Sequence, residues 1–348
     1  SLTIDGVRVV IDSGKRRSPQ FDPQSGMTQL KTVPISKASA DQRAGRAGRT
    51  APGVCHRLWT RHSHMHRSEH TPAEIEQVDL APLALELAAW GTSDPEALRW
   101  VSPPPAGPFQ QAQDLLIQLG ALHDDGTITP HGRAMAGLGV HPRLAHVLVR
   151  AQNLGYAAAG CDLAALLSER DIFRGQGEAP DADLRLRLDA LQRARDGDAP
   201  TPNAMRGSRI ARGTLRRVQK MAGHWRRKLN VNRNARSDAS ACGLLTAFAY
   251  PDRIAKRRSG SDERFLLANG QAAALDRPQL LSKADYLACA HVAGRDREAQ
   301  IRLAAPISHD DLTTFFEDAR TAHTVVEWDT DNERIRARTK DRLGALHL

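Results

Sequence analysis

The chain reads as a multidomain protein of mixed α/β and α+β class, and three observations predict this. Its 348 residues exceed one typical domain and suit about two to four. The 41% hydrophobic content is enough to bury real cores. The patterning also changes along the chain. Short β-branched runs come first, helical spacing fills the middle, and alternating runs separated by turn signals close it.

Val7–Ile11 is a short apolar run ending in Asp-Ser-Gly, the pattern of a buried strand entering a loop. Phe21–Val33 has Pro and Gly around short extended segments and predicts a hairpin-like excursion. Gln42–Arg49 reads QRAGRAGR. Arg43, Arg46 and Arg49 recur every third residue, so on a helical turn they share roughly one face. The intervening Ala and Gly let that face approach a second surface closely. Planar, permanently charged guanidiniums suit bidentate recognition of phosphate oxygens. Gly53–Trp59 predicts another strand. Arg61–His70 holds four histidines, a composition able to bind a transition metal. Its place between a strand and a capped helix makes it a polar interdomain linker, and no metal site is expected.

From Pro72 to Gly137 the order is helix, helix, wing, that of a winged-helix domain. Asp79 is placed to cap the first helix, Pro82 is tolerated in its first turn, and Gly91 stops it. Leu83, Leu87 and Trp90 would share its inner face. The second helix puts Phe109, Ala112, Leu116 and Leu119 inward and ends at Gly120. Asp125-Gly126 then makes a tight turn. Exposed positions here are not strongly basic, so the domain reads as a structural connector.

Pro142–Arg236 is predicted helical. Leu144, Val147, Leu148, Ala151 and Leu154 form one stripe, capped by Gly155. Leu184, Leu188 and Leu191 form another, with Arg185 and Arg187 on its flank. Met205–Arg236 contains no Asp or Glu. Arg209, Arg212 and Arg216 are expected on one helical face, with Lys220 in the same cluster and Leu215, Val218, Trp225 and Leu229 opposite. An unneutralised run this long suggests a phosphate backbone as partner.

From Ala241 the pattern turns to strands. Arg264–Ala268, Asn269-Gly270 and Gln271–Leu275 make a strong hairpin signal. Tyr286–Val292 and Ala299–Ala305 follow, then a helix over Asp311–Arg320 with Leu312, Phe315, Phe316 and Ala319 inward. Val325–Trp328 and Arg334–Arg338 predict a last hairpin.

The net charge of +9 and pI near 9.8 favour an anionic partner, nucleic acid first. Cys55, Cys161, Cys242 and Cys289 form no CxxC pair, which argues for reduced thiols and against a disulfide framework or zinc site. No apolar run approaches membrane-spanning length, and the expected location is cytoplasmic.

The QRAGRAGR spacing resembles motif VI of the DEAH-box helicases of superfamily 2. Ser1–Gly6 (SLTIDG) resembles the end of that family's motif V, and Val9–Gly14 (VVIDSG) the strand and turn after it. FDPQSGMTQL at Phe21–Leu30, PISKASA at Pro34–Ala40 and PGVCHRLW at Pro52–Trp59 follow in the family's order. LLSERD at Leu166–Asp171, YPDRIAKRR at Tyr250–Arg258, LLANG at Leu266–Gly270 and IRLAAPIS at Ile301–Ser308 extend the resemblance, to a bacterial branch, over nearly the whole chain.

The resemblance implies the C-terminal part of an ATP-dependent RNA helicase. Residues 1–62 would be the second half of a RecA-like domain and 63–140 the linker and winged helix. Residues 141–238 would be a helical, ratchet-like domain lining an RNA channel, and 239–348 a β-rich, OB-like region. It implies ATP and Mg²⁺ as cofactors, held mainly by a preceding RecA-like domain. The partner would be RNA, single-stranded or duplex with an overhang. Arg46 and Arg49 would be arginine fingers and Gln42 would hold the γ-phosphate or the attacking water. Asp5 would face the nucleotide, Ser1 and Thr3 the RNA backbone, and Arg43 an internal carboxylate. Lys15 stands where many members carry an adenine-stacking aromatic, which implies no stacking from this side.

The chain has neither a GxxxxGK[ST] loop nor a DEAH box, so on its own it is expected to be a fragment without ATPase activity. Its end at Leu348 is expected to be cut as well. A non-catalytic, basic RNA-binding adaptor is the alternative, although it has no need for regularly spaced arginines at a phosphate-facing turn. A methyltransferase or Rossmann enzyme would need a glycine-rich turn after a strand, and none fits.

Overall fold

The computed structural model describes residues 6–22, 27–175, 179–198, 208–232, 234–294, 298–329 and 334–348. The chain divides into two compact units, Ser1–Ala136 and Gly137–Leu348.

In the first unit, β1 (Val9–Asp12) is followed by β2 (Lys15–Asp22) and β3 (Met27–Pro34), then α1 (Lys37–Ala44) and β4 (Val54–Arg57). β1 and β4 are parallel, in register from Val9↔Val54 to Asp12↔Arg57. The buried strand expected at Val7–Ile11 is not what forms. Val9, Ile11 and Val54 are exposed and Asp12 is the buried residue of β1. Among the described residues these strands pair only with each other, so their apolar face stays open. β2 and β3 make an antiparallel hairpin from Lys15↔Pro34 to Asp22↔Met27. It begins six residues earlier than the Pro and Gly punctuation suggests, because pairing starts directly after the Gly14 turn. The α1 N-terminus is capped by Ser36, whose hydroxyl accepts the Ser39 N–H at 3.1 Å.

A short helix, α2 (Arg61–Met65), precedes α3 (Ala81–Trp90), α4 (Ala106–Gln118) and α5 (Pro130–Ala136). Asp79 Oδ1 accepts the Ala81 N–H at 2.9 Å and so serves the start of α3. The α3 face differs from the expected one. Ala81, Ala84, Leu85, Leu87 and Ala88 are buried, whereas Trp90 is 76% exposed and Leu83 only half-buried. α3 packs on both α4 and α5, and small alanines let it approach them closely, while Trp90 sits in the last turn outside that contact. Phe109, Ala112, Leu116 and Leu119 are buried as the spacing predicts. An antiparallel bridge, Leu122↔Ile128, closes over the Asp125-Gly126 turn. Asp125 Oδ1 accepts from both the N–H and the hydroxyl of Thr127, at 2.9 and 2.6 Å.

The second unit opens with α6 (Pro142–Asn153) and α7 (Ala157–Ser168), followed by β5 (Phe173–Gly175), α8 (Leu184–Asp196), β6 (Ser208–Ile210) and α9 (Arg212–Lys228). α7 is the hub and packs against α6, α8 and α9, with Ala158–Leu166 buried throughout. Two expectations are corrected here. Arg187, expected on the flank of the α8 stripe, is part of the buried face at 2% exposure. It bonds Asp171 at 2.7 Å and lies over the Phe173 ring at 4.7 Å. Arg209 is not on the basic helix but in β6, which pairs with β5 from the far side of α8. Residue spacing within one segment cannot reveal a partner so distant in sequence.

α10 (Cys242–Ala249) is wholly buried and leads into β7 (Ile254–Arg257), β8 (Arg264–Leu267), β9 (Ala272–Leu275), β10 (Tyr286–Ala293) and β11 (Ala299–Pro306). These five strands close into a barrel in the order β7-β8-β9-β11-β10. Neighbours are antiparallel except β9 and β11, which are parallel. At the corner before β7, Tyr250 lies between the guanidiniums of Arg143 and Arg253, at 5.2 and 4.6 Å. Arg143 also bonds Asp252 and the Ala249 carbonyl at 2.7 and 2.8 Å. The YPDR run therefore ties α6 to the barrel. α11 (His309–Phe315) starts earlier than predicted, at a Ser308/Asp311 capping box. It also ends earlier, with Leu312 and Phe316 buried and Ala319 exposed. The chain must extend from Arg320, where β12 (Arg320–Asp329) begins. β12 pairs with β13 (Arg334–Leu343), and β14 (Leu346–His347) completes the sheet.

Candidate functional site

The QRAGRAGR turn is built on two short strands and one helix. α1 stops at Ala44, and the chain tightens there. Arg46 N–H bonds Arg43 C=O at 3.2 Å and Ala47 N–H bonds Ala44 C=O at 3.1 Å. Arg46 and Arg49 therefore follow the helix rather than continue its face. The three arginines still converge, since all line one cavity of about 480 Å³ with Val7, Val10, Ile11, Asp12 and Ser13. Small residues make this possible. Ala47 is 2% exposed, and a Cβ at Gly53 would lie 2.1 Å from the Ala47 carbonyl oxygen and 2.8 Å from that of Arg8.

The arginines differ in what they touch. Arg43 donates to Asp12 Oδ1 at 2.8 Å and to the Lys15 carbonyl at 3.2 Å. The same Asp12 oxygen accepts the Gly14 N–H at 2.9 Å, while Asp12 Oδ2 is buried without a partner among the described residues. Arg46 and Arg49 are exposed. Gln42 is exposed on α1 and is not among the residues lining the cavity. Ser1, Thr3 and Asp5 lie outside the described residues.

The segment read as a linker also works for this site. Arg67 stacks on Trp59 at 4.4 Å and donates to the carbonyls of Gly14 and Ile35, both at 2.9 Å. Gly14 has φ +70°, and a Cβ there would meet Arg67 Nη2 at 2.5 Å and Trp59 Cε3 at 2.6 Å. Arg67 and Trp59 thus clamp the turn that holds Asp12, a role the polar composition of Arg61–His70 conceals. His62 and His66 rings lie 4.3 Å apart. Among the described residues no group of three or more His, Cys, Asp or Glu is arranged to hold a metal ion.

The basic helix α9 is partly neutralised from outside its own segment. Arg226 is buried and bonds Asp162 at 2.9 and 3.2 Å, with Arg195 and Ser237 completing the ring around that carboxylate. Burial alone would raise the Asp162 pKa. Arg195 and then Arg226 outweigh it and hold the carboxyl below its ordinary value. Arg217 bonds Glu169 at 3.0 Å and Arg236 bonds Asp196 at 2.8 Å. Arg212, Arg216 and Lys220 are exposed at i, i+4, i+8 with no acidic partner among the described residues. Arg206 lies outside those residues. Burial pushes the thiols of Cys161, Cys242 and Cys289 up to about 12, which leaves them unreactive.

Residues 112–140 match the helicase-associated domain (HA2), winged-helix family. The chain is 34% identical to the ATP-dependent RNA helicase HrpB of Escherichia coli (strain K12), over 99% of this chain and 39% of that protein. It is 41% identical to the pre-mRNA-splicing factor ATP-dependent RNA helicase prp22 of Schizosaccharomyces pombe, over 50% of this chain and 15% of that protein. The crystal structure of the E. coli DExH-box NTPase HrpB superposes with a TM-score of 0.78 at 33% identity, covering 100% of this chain and 39% of that one. The chain thus corresponds to the C-terminal region of the DEAH-box ATP-dependent RNA helicases. Within that family it is of the HrpB type. It spans about two fifths of the length of the HrpB relative. Among the described residues no helix is long and apolar enough to cross a membrane.

Proposed function

We propose that this chain supplies the second half of a composite ATP site, together with part of an RNA path, in a cytoplasmic ATP-dependent RNA helicase. The observation that carries the reading is the arginine-lined cavity. Among its described lining residues the carboxylate of Asp12 holds Arg43 at 2.8 Å, and the exposed Arg46 and Arg49 line the same cavity, a charge balance that suits a polyanion. Three arginines to one acid among the described lining residues suit a triphosphate, and the Mg²⁺ ligands are proposed to lie mainly in a preceding RecA-like domain. ATP, when bound, supplies the phosphoryl group that is transferred to water. Arg46 and Arg49 act as fingers that stabilise the negative charge developing on its oxygens. Gln42 positions the γ-phosphate or the water, and Asp5 faces the nucleotide.

In the first unit RNA contacts Ser1 and Thr3; in the second it contacts Arg209 of β6 and the exposed α9 side chains Arg212, Arg216 and Lys220. The winged helix connects, the α6–α9 bundle acts as the ratchet-like element, and the five-stranded barrel serves as an OB-like guide for single strands.

The test is a chimera in which this chain replaces the matching 39% of HrpB. Arg49→Ala is expected to lower kcat by about three orders of magnitude or more with far less change in ATP affinity. Arg49→Lys should rescue poorly, because an ammonium cannot reproduce the planar fork. Near-normal single-turnover hydrolysis with collapsed ATP affinity would make Arg49 a binding residue and leave Arg46 as the only finger.

A further inference from the structure

We propose that Arg174 and Arg209 together form a clamp for one RNA backbone phosphodiester, a site that the spacing of the basic helix does not disclose. β5 and β6 pair antiparallel with Phe173↔Ile210, Arg174↔Arg209 and Gly175↔Ser208. Directly opposed residues on an antiparallel pair project to the same face with Cβ atoms about 5 Å apart. Phe173 is buried on one side of this ribbon, and Arg174 and Arg209 are both exposed on the other.

Two like charges facing each other across strands repel, and no carboxylate among the described residues pairs with either. Three acids of the neighbouring described segments are already engaged, and Glu178 lies outside the described residues. Glu169 holds Arg217 at 3.0 Å, Asp171 holds Arg187 at 2.7 Å and Asp183 holds Arg185 at 2.6 Å. Neither Arg174 nor Arg209 has a hydrogen bond or ion pair among the described residues. The ribbon itself is fixed, since Phe173 N–H bonds Asp171 Oδ1 at 2.9 Å and Ala211 N–H bonds the Ile172 carbonyl at 2.8 Å.

Two guanidiniums opposed on a hydrogen-bonded ribbon, neither paired with an acid among the described residues, match the two non-bridging oxygens of a phosphodiester. Arg212 and Arg216 follow Arg209 by three and seven residues on α9, so a strand held by the clamp continues along that helix. The inference rests on the RNA reading above.

The experiment uses the whole 348-residue chain, with Arg174→Gln, Arg209→Gln, the double variant, and an Arg212→Ala/Arg216→Ala control. The probes are a fluorescein-labelled single-stranded oligoribonucleotide, its duplex form and inorganic tripolyphosphate, titrated at several KCl concentrations. Each single Gln change is expected to weaken RNA binding about tenfold. The double change should add little, because both side chains hold one phosphate. The slope of log K against log salt should fall by about 0.7 for a single strand.

Independent, additive losses would overturn the clamp, as would unchanged binding by the double variant. If that variant binds RNA normally while the Arg212/Arg216 control is weakened, the clamp fails and the RNA reading stands. A wild-type chain that binds neither RNA form would instead sink the RNA reading, and the clamp with it. Loss of tripolyphosphate binding alone would reassign the pair to a free anion. Loss on the duplex alone would show that it grips duplex rather than single-stranded RNA, and either result supports a phosphate clamp only for that ligand.

Discussion

The arginine turn at Arg43–Arg49 and the basic helix α9 solve the same problem at opposite levels of burial. Each ties one arginine to a buried carboxylate and holds the others out. In the turn, Asp12 is 1% exposed at its side chain while its partner Arg43 keeps 30% exposure. In the helix, Asp162 is 0% exposed and Arg226 only 8%, with Arg195 as a second cation on the same group. The first arrangement is a bracket that aims its neighbours, and the second is a joint among α7, α8 and α9. A run of arginines in a sequence therefore does not reveal which are spent on the fold. What decides is whether an acid, often far away in the chain, lies beneath them.

The joint gives the largest expected effect. Asp162→Ala leaves Arg226 buried without a counter-charge and is expected to cost about 3–5 kcal/mol, read by urea unfolding of the intact chain. A loss below about 1 kcal/mol would show that the two arginines rehydrate and that the carboxylate is not a joint. The pH dependence follows from the same pair. The Asp162 pKa is lowered on folding, so its contribution is fully present above the ordinary value of 3.8 and is lost as pH falls through the lower, folded-state value. Asp162→Asn should flatten the acid limb of the unfolding profile in that window.

The outward arginines of the helix come next. Arg212→Ala/Arg216→Ala is expected to weaken RNA binding for all sequences alike and lower the salt slope by about 1.4, since phosphate contacts release counterions and read no bases. A filter-binding titration with unchanged slope would take α9 out of the RNA path and leave the comparison with the turn a purely structural one.

Much of this was legible from residue order, for physical reasons that also mark where legibility stops. The Asn269-Gly270 hairpin, the Asp125-Gly126 turn and the Leu144–Ala151 stripe depend on neighbours within a few residues, and all are present in the fold. The α3 face was misjudged because helical spacing treats Trp90 as core by its size, whereas two packed helices selected alanines. Arg209 was misplaced because β6 exists only through its pairing with β5. Asp162 carried no local signal at all, since it lies 64 positions before Arg226. For the candidate site, the arginine spacing was visible and their convergence could be anticipated. The Asp12 bracket and the Trp59–Arg67 clamp needed the turn at Gly14 to be seen in space.

The smallest effect is the one that most sharply separates an aimed residue from a structural one. Arg46 is exposed at the cavity and Arg43 is bonded beneath it, although the two stand three residues apart in the same repeat. Removing Arg43 strands the buried Asp12 carboxylate, whose Oδ2 has no partner among the described residues, so Arg43→Ala should cost about 1–3 kcal/mol of stability. Arg46→Ala removes no bond on which the fold depends and should change stability by no more than about 0.5 kcal/mol. In the HrpB chimera the same Arg46→Ala change should nonetheless depress ATP turnover, which a spectator side chain would not do. Comparable destabilisation by the two substitutions in thermal unfolding would mean that Arg46 is part of the bracket. The cavity would then present Arg49 alone to an anion.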